Sequence, residues 1–326
     1  MRIYVAGASG AIGRRLVPQL VAAGHDVTAT TRSPQKPDDL RRLGAEPVVV
    51  DGLDEQGVVE AVGRAEPHVV IHEMTGLSGA SDLRRFDRWF ATTNELRTKG
   101  TDHLIRAAKL SGAPRLIAQG YTGWPNIRQG GWVKTEDDPL DPDPPAAMRQ
   151  SLEAIRYLEQ AVTHANGLEG LVLRYGSLYG PGTSMSNEYV ELIRKRRMPI
   201  IGDGKGVWSL VHVDDAAAAT VAALTRGAPG VYNIVDDDPA PVSEWLPHLA
   251  EALGAKPPRR IPTWLGRLLA GEVAASMMTE VRGSSNAKAR RELGWEPRHP
   301  SWREGFRDAL EEASAPPRPG APGRTS

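Results

Sequence analysis

The stretch Met1-Arg-Ile-Tyr-Val-Ala-Gly-Ala-Ser-Gly-Ala-Ile-Gly-Arg-Arg-Leu16 runs a strand, a glycine turn and a helix start together. Ile3 to Ala6 form a short apolar β-run. Gly7, Gly10 and Gly13 follow at three-residue spacing, and Ile12, Leu16, Val17 and Leu20 then recur with helical period. A turn that aims backbone N–H groups and a helix N-terminus at a pyrophosphate has no room for Cβ atoms where the anion or the neighbouring strand must sit. Glycines meet that demand, Ser9 adds a hydroxyl donor, and Ala11 and Ile12 lie in the same turn. The glycine spacing alone fits a plain tight turn equally well. Its place between a strand and a helix, at the head of a strand–helix series, points to a dinucleotide.

The chain has 326 residues, 40% of them hydrophobic, enough for a full α/β core with a smaller lobe. Forty basic and forty acidic residues cancel, so no overall field draws it to nucleic acid or to an anionic membrane. The absence of cysteine excludes disulfides, thiolate catalysis and cysteine-based zinc sites. No metal is expected. The longest apolar runs are too short for a bilayer, and the first strand starts at the second or third residue, so neither membrane span nor leader is expected and the cytoplasm is the default.

Val27 to Thr31 reads as the second strand, and the side chain after it chooses the cofactor. An acid there accepts hydrogen bonds from the adenosine ribose, whereas arginine accommodates a 2′-phosphate. Thr31 followed by Arg32 favours NADP over NAD, against the alternative that Arg32 is only a solvated loop cation. Pro47 to Asp51 is a third strand, with Asp51, Gly52 and Leu53 expected beside the adenine. His68 to His72 is a fourth, leading into Thr75 and Gly76 on the cofactor side, with His72 expected to pack in the core. A helix near Phe90 to Leu110, a strand Arg115 to Ala118 ending at Gln119, a helix Met148 to Ala165 and a strand Leu168 to Arg174 complete the alternation. The fold expected is α/β, a doubly wound parallel-sheet Rossmann fold. Beyond residue 182 the alternation breaks. Asp214 or Asp215 is the expected N-cap of an Ala-rich helix, Thr263 to Met278 reads as helical, and residues 313–326 read as a disordered tail.

Gly7-x-x-Gly10-x-x-Gly13, Gly176-x-x-Tyr179-Gly-Pro-Gly182, Val211-His-Val-Asp-Asp215, Val231-Tyr-Asn-Ile-Val235 and Leu293-Gly-Trp-Glu-Pro297 occur in an order that resembles the extended short-chain dehydrogenase/reductases, the NAD-dependent epimerase/dehydratase family. The resemblance spans roughly residues 1 to 310. It implies a Rossmann domain of residues 1–182 that also receives 208–235, and a C-terminal substrate lobe from 183–207 and 236–312. It also implies NAD(P), a small-molecule substrate and a possible homodimer.

The resemblance fails at the chemistry. The family places Ser or Thr after the fifth strand and Tyr-x-x-x-Lys in the next long helix, where lysine lowers the tyrosine pKa so that it can move the proton accompanying hydride transfer. Here Gly120 stands at the serine position, and Met148 and Leu152 at tyrosine and lysine. Met148, Leu152, Ile155, Leu158 and Val162 form one apolar stripe, and Tyr157 has Ala161 four residues later.

Tyr121 and Thr122 match two substrate-facing positions in the sugar-nucleotide dehydratases of that family. Tyr121 is therefore the catalytic candidate, as acid/base or oxyanion donor, with packing on Trp124 or Trp132 as the competing reading. Lys134 and Glu136 are candidate loop charges and Tyr175 a candidate at the nicotinamide side. Trp124, Leu178, Trp208, Ser209 and His212 are expected around a flat or apolar substrate, in secondary metabolism rather than on a sugar nucleotide. Three readings stand: a reductase in which Tyr121 or water supplies the proton, a non-redox cyclase, isomerase or lyase, and a non-catalytic NADP sensor. A pocket open beside Tyr121, Tyr175 and Trp208 favours an enzyme; one plugged by Met148 and Leu152 favours the sensor.

Overall fold

The computed structural model describes residues 1–77 and 81–314. Its centre is a seven-stranded sheet in which every neighbour pair is parallel. Strands β1 (Arg2–Ala6), β2 (Asp26–Thr31), β3 (Glu46–Val49), β4 (Val69–His72) and β5 (Arg115–Tyr121) are joined by Glu169–Tyr175 and Gly230–Ile234. From one edge the order is Gly230–Ile234, Glu169–Tyr175, β5, β4, β1, β2, β3. The order reverses between β1 and β4, and a ligand cleft opens at such a switch point, beyond the carboxyl ends of the strands.

Alternation within β1 explains why its sequence is apolar throughout. Ile3 and Val5 enter the core on one face, with Leu16, Val17 and Leu20 of helix α1 (Gly13–Ala22). Tyr4 and Ala6 enter the core on the other, with Val58, Val62 and Leu104. A strand buried on both faces keeps no polar alternation, and each such side chain contributes about 1.5–3 kcal/mol. A further apolar core, containing Ile193, Ile200, Leu210, Trp245, Leu249, Met278 and Trp302, lies outside the sheet layers. The last helix, Trp302–Ser314, packs on it through Phe306 and Ala309, so positions 313 and 314 are helical. The rest of the tail expected at 313–326 lies outside the described residues.

Several boundaries differ from the sequence reading. The helix expected over Phe90 to Leu110 is built from Phe86–Trp89, Ala91–Glu95, a π-helical turn Leu96–Gly100, and Thr101–Ser111. Hydroxyls bond back along the chain here, Thr98 Oγ1 to the Asn94 carbonyl (2.9 Å) before the turn and Thr101 Oγ1 to the Arg97 carbonyl (2.8 Å) within it, and π turns of this kind occur at functional sites. The next long helix is Arg149–Thr163. Its first amides are capped from outside by Asp87, which accepts from Gln150 N (3.0 Å) and Ser151 N (2.8 Å). Helix Val213–Ala222 is capped by His212, whose Nδ1 accepts from Asp214 N, and not by Asp214 or Asp215. Asp215 is fully buried and instead accepts from the amides of Arg298 and His299. The helix expected over Thr263 to Met278 breaks at Gly271, which adopts φ +94°.

Candidate active site

A cleft of about 580 Å³ opens over the carboxyl ends of β1, β2, β4, β5 and strand Glu169–Tyr175. At its floor the glycine turn meets the sheet. Gly7 has φ +88°, and a Cβ there would stand 2.5 Å from the Glu73 carbonyl; one on Gly13 would stand 2.5 Å from the Ala8 carbonyl. Gly10 differs, since its Cβ would meet only the Gly7 carbonyl, at 3.3 Å, and otherwise project into the cleft. The amides of Ala11, Ile12 and Gly13 have no acceptor among the described residues. Free amides at a helix N-terminus beside space that side chains would fill fit a pyrophosphate.

At the corner beyond β2, Thr31, Arg32, Ser33 and Lys36 line the cleft and no acid ends the strand. Asp51 and Gly52 line the adjoining wall, and Thr75 the wall beyond β4. At the opposite end the walls are aromatic: Phe86 stacks on Phe90 at 4.4 Å, and Trp124 packs edge-on to Phe86 at 5.2 Å. Tyr121 lies 6.0 Å from Trp124 and shares a 2.9 Å hydrogen bond with Ser177 Oγ. Burial raises the Tyr121 pKa, and the nearby Arg97 cation opposes that shift. Trp208 and Ser209 close this end, with Trp208 Nε1 donating to the Met277 carbonyl at 2.8 Å.

Beneath the cleft, Tyr175 is fully buried, and its hydroxyl contacts Glu73 Oε1 (3.0 Å) and Thr220 Oγ1 (2.6 Å). Thr220 donates onward to the Ala216 carbonyl. Burial pushes the Glu73 pKa up to about 8. Tyr175 donates to Glu73, and that hydrogen bond works against the rise. Tyr175 thus borders the cleft but turns its phenol toward the protein, not toward a nicotinamide.

Gly7, Ser9, Gly10, Ala11, Ile12, Gly13, Arg32, Asp51, Gly52, Thr75, Gln119, Tyr121, Thr122, Trp124, Tyr175, Leu178 and Trp208 share the cleft. Other expected residues are elsewhere. Lys134 is buried against the Gln129 carbonyl (2.6 Å) and Asp138 (3.2 Å), because a loop ammonium finds its nearest acceptors locally. Glu136 accepts from the Asn233 amide at 2.6 Å. His212 lies behind the cleft, 4.0 Å from His299, occupied as a helix cap, and burial lowers its pKa to about 4. Leu53 only closes the turn in which its amide meets Asp51 Oδ1, and Gly76 packs on Thr92, which leaves no room for a Cβ. The exposed Trp132 is covered by Arg282 at 3.6 Å and does not reach the site. Thr122 spends its hydroxyl on Asn126 and Ser284.

Met148 and Leu152 do not line the cleft; they pack behind it with Phe86, Phe90 and Trp124. Tyr157 points outward, 41% exposed, and bonds to Asp102. The long helix therefore delivers neither phenol nor ammonium to the cleft, which stays open beside Tyr121 and Trp208.

The residue that the sequence reading missed is Arg97. It lines the cleft at 5% exposure, on the π turn, with its guanidinium 5.6 Å from the Phe90 ring. Its signal was present: Phe90, Thr93, Arg97, Thr101 and Leu104 follow one helical stripe, and a charge in a buried stripe needs a reason.

A model of the NAD dependent epimerase/dehydratase family matches residues 3–235. The chain belongs to that family. Among its relatives, a 3-diazoavenalumate denitrifying reductase from a Streptomyces species is 44% identical over 311 residues, covering 94% of this chain and 99% of the relative. The UDP-glucose 4-epimerase of Thermus thermophilus, solved with NAD, superposes with a TM-score of 0.74 at 24% identity, covering 96% of this chain and 99% of that one. A human epimerase family protein solved with NADPH gives a TM-score of 0.72 at 20% identity, covering 95% of this chain and 99% of that one. This family member is an NAD(P)-dependent enzyme of oxidoreductase or epimerase type, and among the described residues no helix is long and apolar enough to cross a membrane.

Proposed function

We propose that this epimerase/dehydratase-family enzyme is an NADPH-dependent reductase whose acceptor is a diazo-bearing small molecule of secondary metabolism, from which dinitrogen departs. Reduced NADP supplies the hydride, and for the diazonium form the balance is R–N2⁺ + H⁻ → R–H + N2, two electrons with no proton consumed. The observation that carries the reading is the packing of Met148 and Leu152 into the core behind the dinucleotide cleft, at positions where the family's proton relay would be expected. Carbonyl reduction must put a proton on oxygen, a service that contributes about 10²–10⁴-fold when a side chain provides it. Displacement of dinitrogen by hydride dispenses with that service. The 44% identity to a reductase named for a diazo compound supports the same acceptor.

The chain's own residues then bind, orient and exclude water. The turn amides from Ala11 to Gly13 hold the pyrophosphate, and Arg32 with Lys36 holds a 2′-phosphate, which supports NADP over NAD. Tyr121, fixed by Ser177, hydrogen-bonds the polar edge of the substrate, while Phe90, Trp124 and Trp208 enclose its flat faces. The test is anaerobic incubation of the enzyme with NADPH and 3-diazoavenalumate. One dinitrogen per NADPH oxidised is expected; NADPH oxidation with ketones but not with the diazo acid overturns the proposal.

A further inference from the structure

We infer that Arg97 is the anchor for a carboxylate on a planar aromatic substrate, so that the cleft selects aromatic acids. The inference deepens the reductase reading by naming its substrate class, but the anion site stands on the surroundings of Arg97 alone. The side chain is buried, its Nη1 has no hydrogen-bond partner, and among the described residues no acid pairs with its guanidinium. The carboxylate whose field reaches it, Glu159, is already taken: Arg174 Nε and Nη2 reach its two carboxylate oxygens at 2.6 and 2.8 Å. Arg97 keeps a pKa of about 10 despite its burial, so it is a cation at neutral pH.

An unpaired buried guanidinium is expensive, and a fold retains one where a ligand completes it. The two anionic parts of the cofactor have other partners. The turn amides after β1 serve the pyrophosphate, and Arg32 and Lys36 beyond β2 serve the adenosine side. Arg97 lies at the opposite end, beside Phe90 and Tyr121 at the carboxyl end of β5, in the part left for substrate. A planar fork accepts a carboxylate through two parallel N–H···O bonds. The surrounding rings of Phe86, Phe90, Trp124, Tyr121 and Trp208 suit a flat conjugated body attached to it.

The test needs no turnover, so it separates this inference from the reductase reading. NADP⁺-loaded protein is titrated with 4-hydroxycinnamate and with its methyl ester, followed by tryptophan fluorescence, for the wild type, Arg97→Met and Arg97→Lys. The acid is expected to bind the wild type about 10–100-fold more tightly than the ester. Arg97→Met should erase that preference by weakening the acid, and Arg97→Lys should restore part of it. NADPH affinity should change less than about twofold, and the cofactor-free Arg97→Met protein should melt no lower than the wild type, since it loses an unpaired buried charge. Equal binding of acid and ester by the wild type, or no binding of either, overturns the inference. So does an unchanged preference in Arg97→Met, or a loss of NADPH affinity in both variants. If Arg97→Met fails to fold, Arg97→Lys decides: acid affinity unchanged from the wild type together with a lowered melting temperature assigns Arg97 to structure and overturns it.

Discussion

Replacing Arg32 with aspartate should separate the two nicotinamide cofactors. Arg32 follows the buried Thr31, its side chain is exposed at the cleft, and Ser33 and Lys36 share its corner. A charge-assisted hydrogen bond to a phosphate contributes about 1.5–3 kcal/mol, and the exposure of Arg32 argues for the lower end. The new carboxylate adds repulsion of about 1 kcal/mol at roughly 4 Å in water-like surroundings. Together these amount to about 2.5 kcal/mol, or about a 70-fold rise in the Kd for NADPH. NADH carries a ribose hydroxyl in place of the phosphate, and aspartate can accept from it, so NADH binding should hold or tighten. Calorimetric titration of both cofactors at 0.15 M salt reads the difference, and the NADPH penalty should shrink at higher salt as screening grows. Equal weakening of NADH and NADPH would refute the reasoning.

Gly10→Ala and Gly13→Ala should part company. The Gly10 methyl enters the cleft and weakens NADPH at least about tenfold with little change in Tm, whereas the Gly13 methyl strikes the Ala8 backbone and destabilises the fold by about 1–3 kcal/mol in urea titrations. Glu73 and Asp236 both have folded-state pKa values near 8, raised by burial. Their unfolded counterparts ionise first, so each lowers stability as pH climbs from about 4.5 toward 8, by up to about 1.4 kcal/mol per pH unit. In cofactor-free protein, Glu73→Gln should flatten part of that decline, and urea midpoints from pH 5.5 to 8 that fall as steeply as in the wild type would reject the assignment. Tyr121→Phe should lower kcat on the diazo acid by less than about tenfold; a loss in the 10²–10⁴ range would make the phenol a proton donor after all.

Much of the fold was legible because its constraints are local or periodic. The turn Gly7–Gly13 announces a backbone that must approach both strand and anion, and the unbroken apolar runs of β1 and β4 announce strands covered on both faces. The burial of Met148 and Leu152 was also readable, since both fall on one apolar stripe. What failed was the placing of isolated polar side chains. Lys134 and His212 are taken by partners within five residues, Gln129, Asp138 and Asp214, whereas Glu136 meets the amide of Asn233, which only the folded chain brings close. Tyr175 has the right address and the wrong direction, because its partner Glu73 arrives from another strand. Arg97 was missed for the opposite reason. The stretch Phe90 to Leu110 was read only as a helix, and the charge on its buried stripe was passed over.

Single-turnover oxidation of NADPH by the diazo acid, run in H2O and D2O and with NADPH deuterated at the transferred position, tests the central claim most directly. Hydride transfer without a partner proton predicts a solvent isotope effect of about 1 beside a primary effect of about 2 or more on the same step. A solvent effect of about 2 or more on that step would mean that a proton moves with the hydride, and that the cleft holds a relay after all.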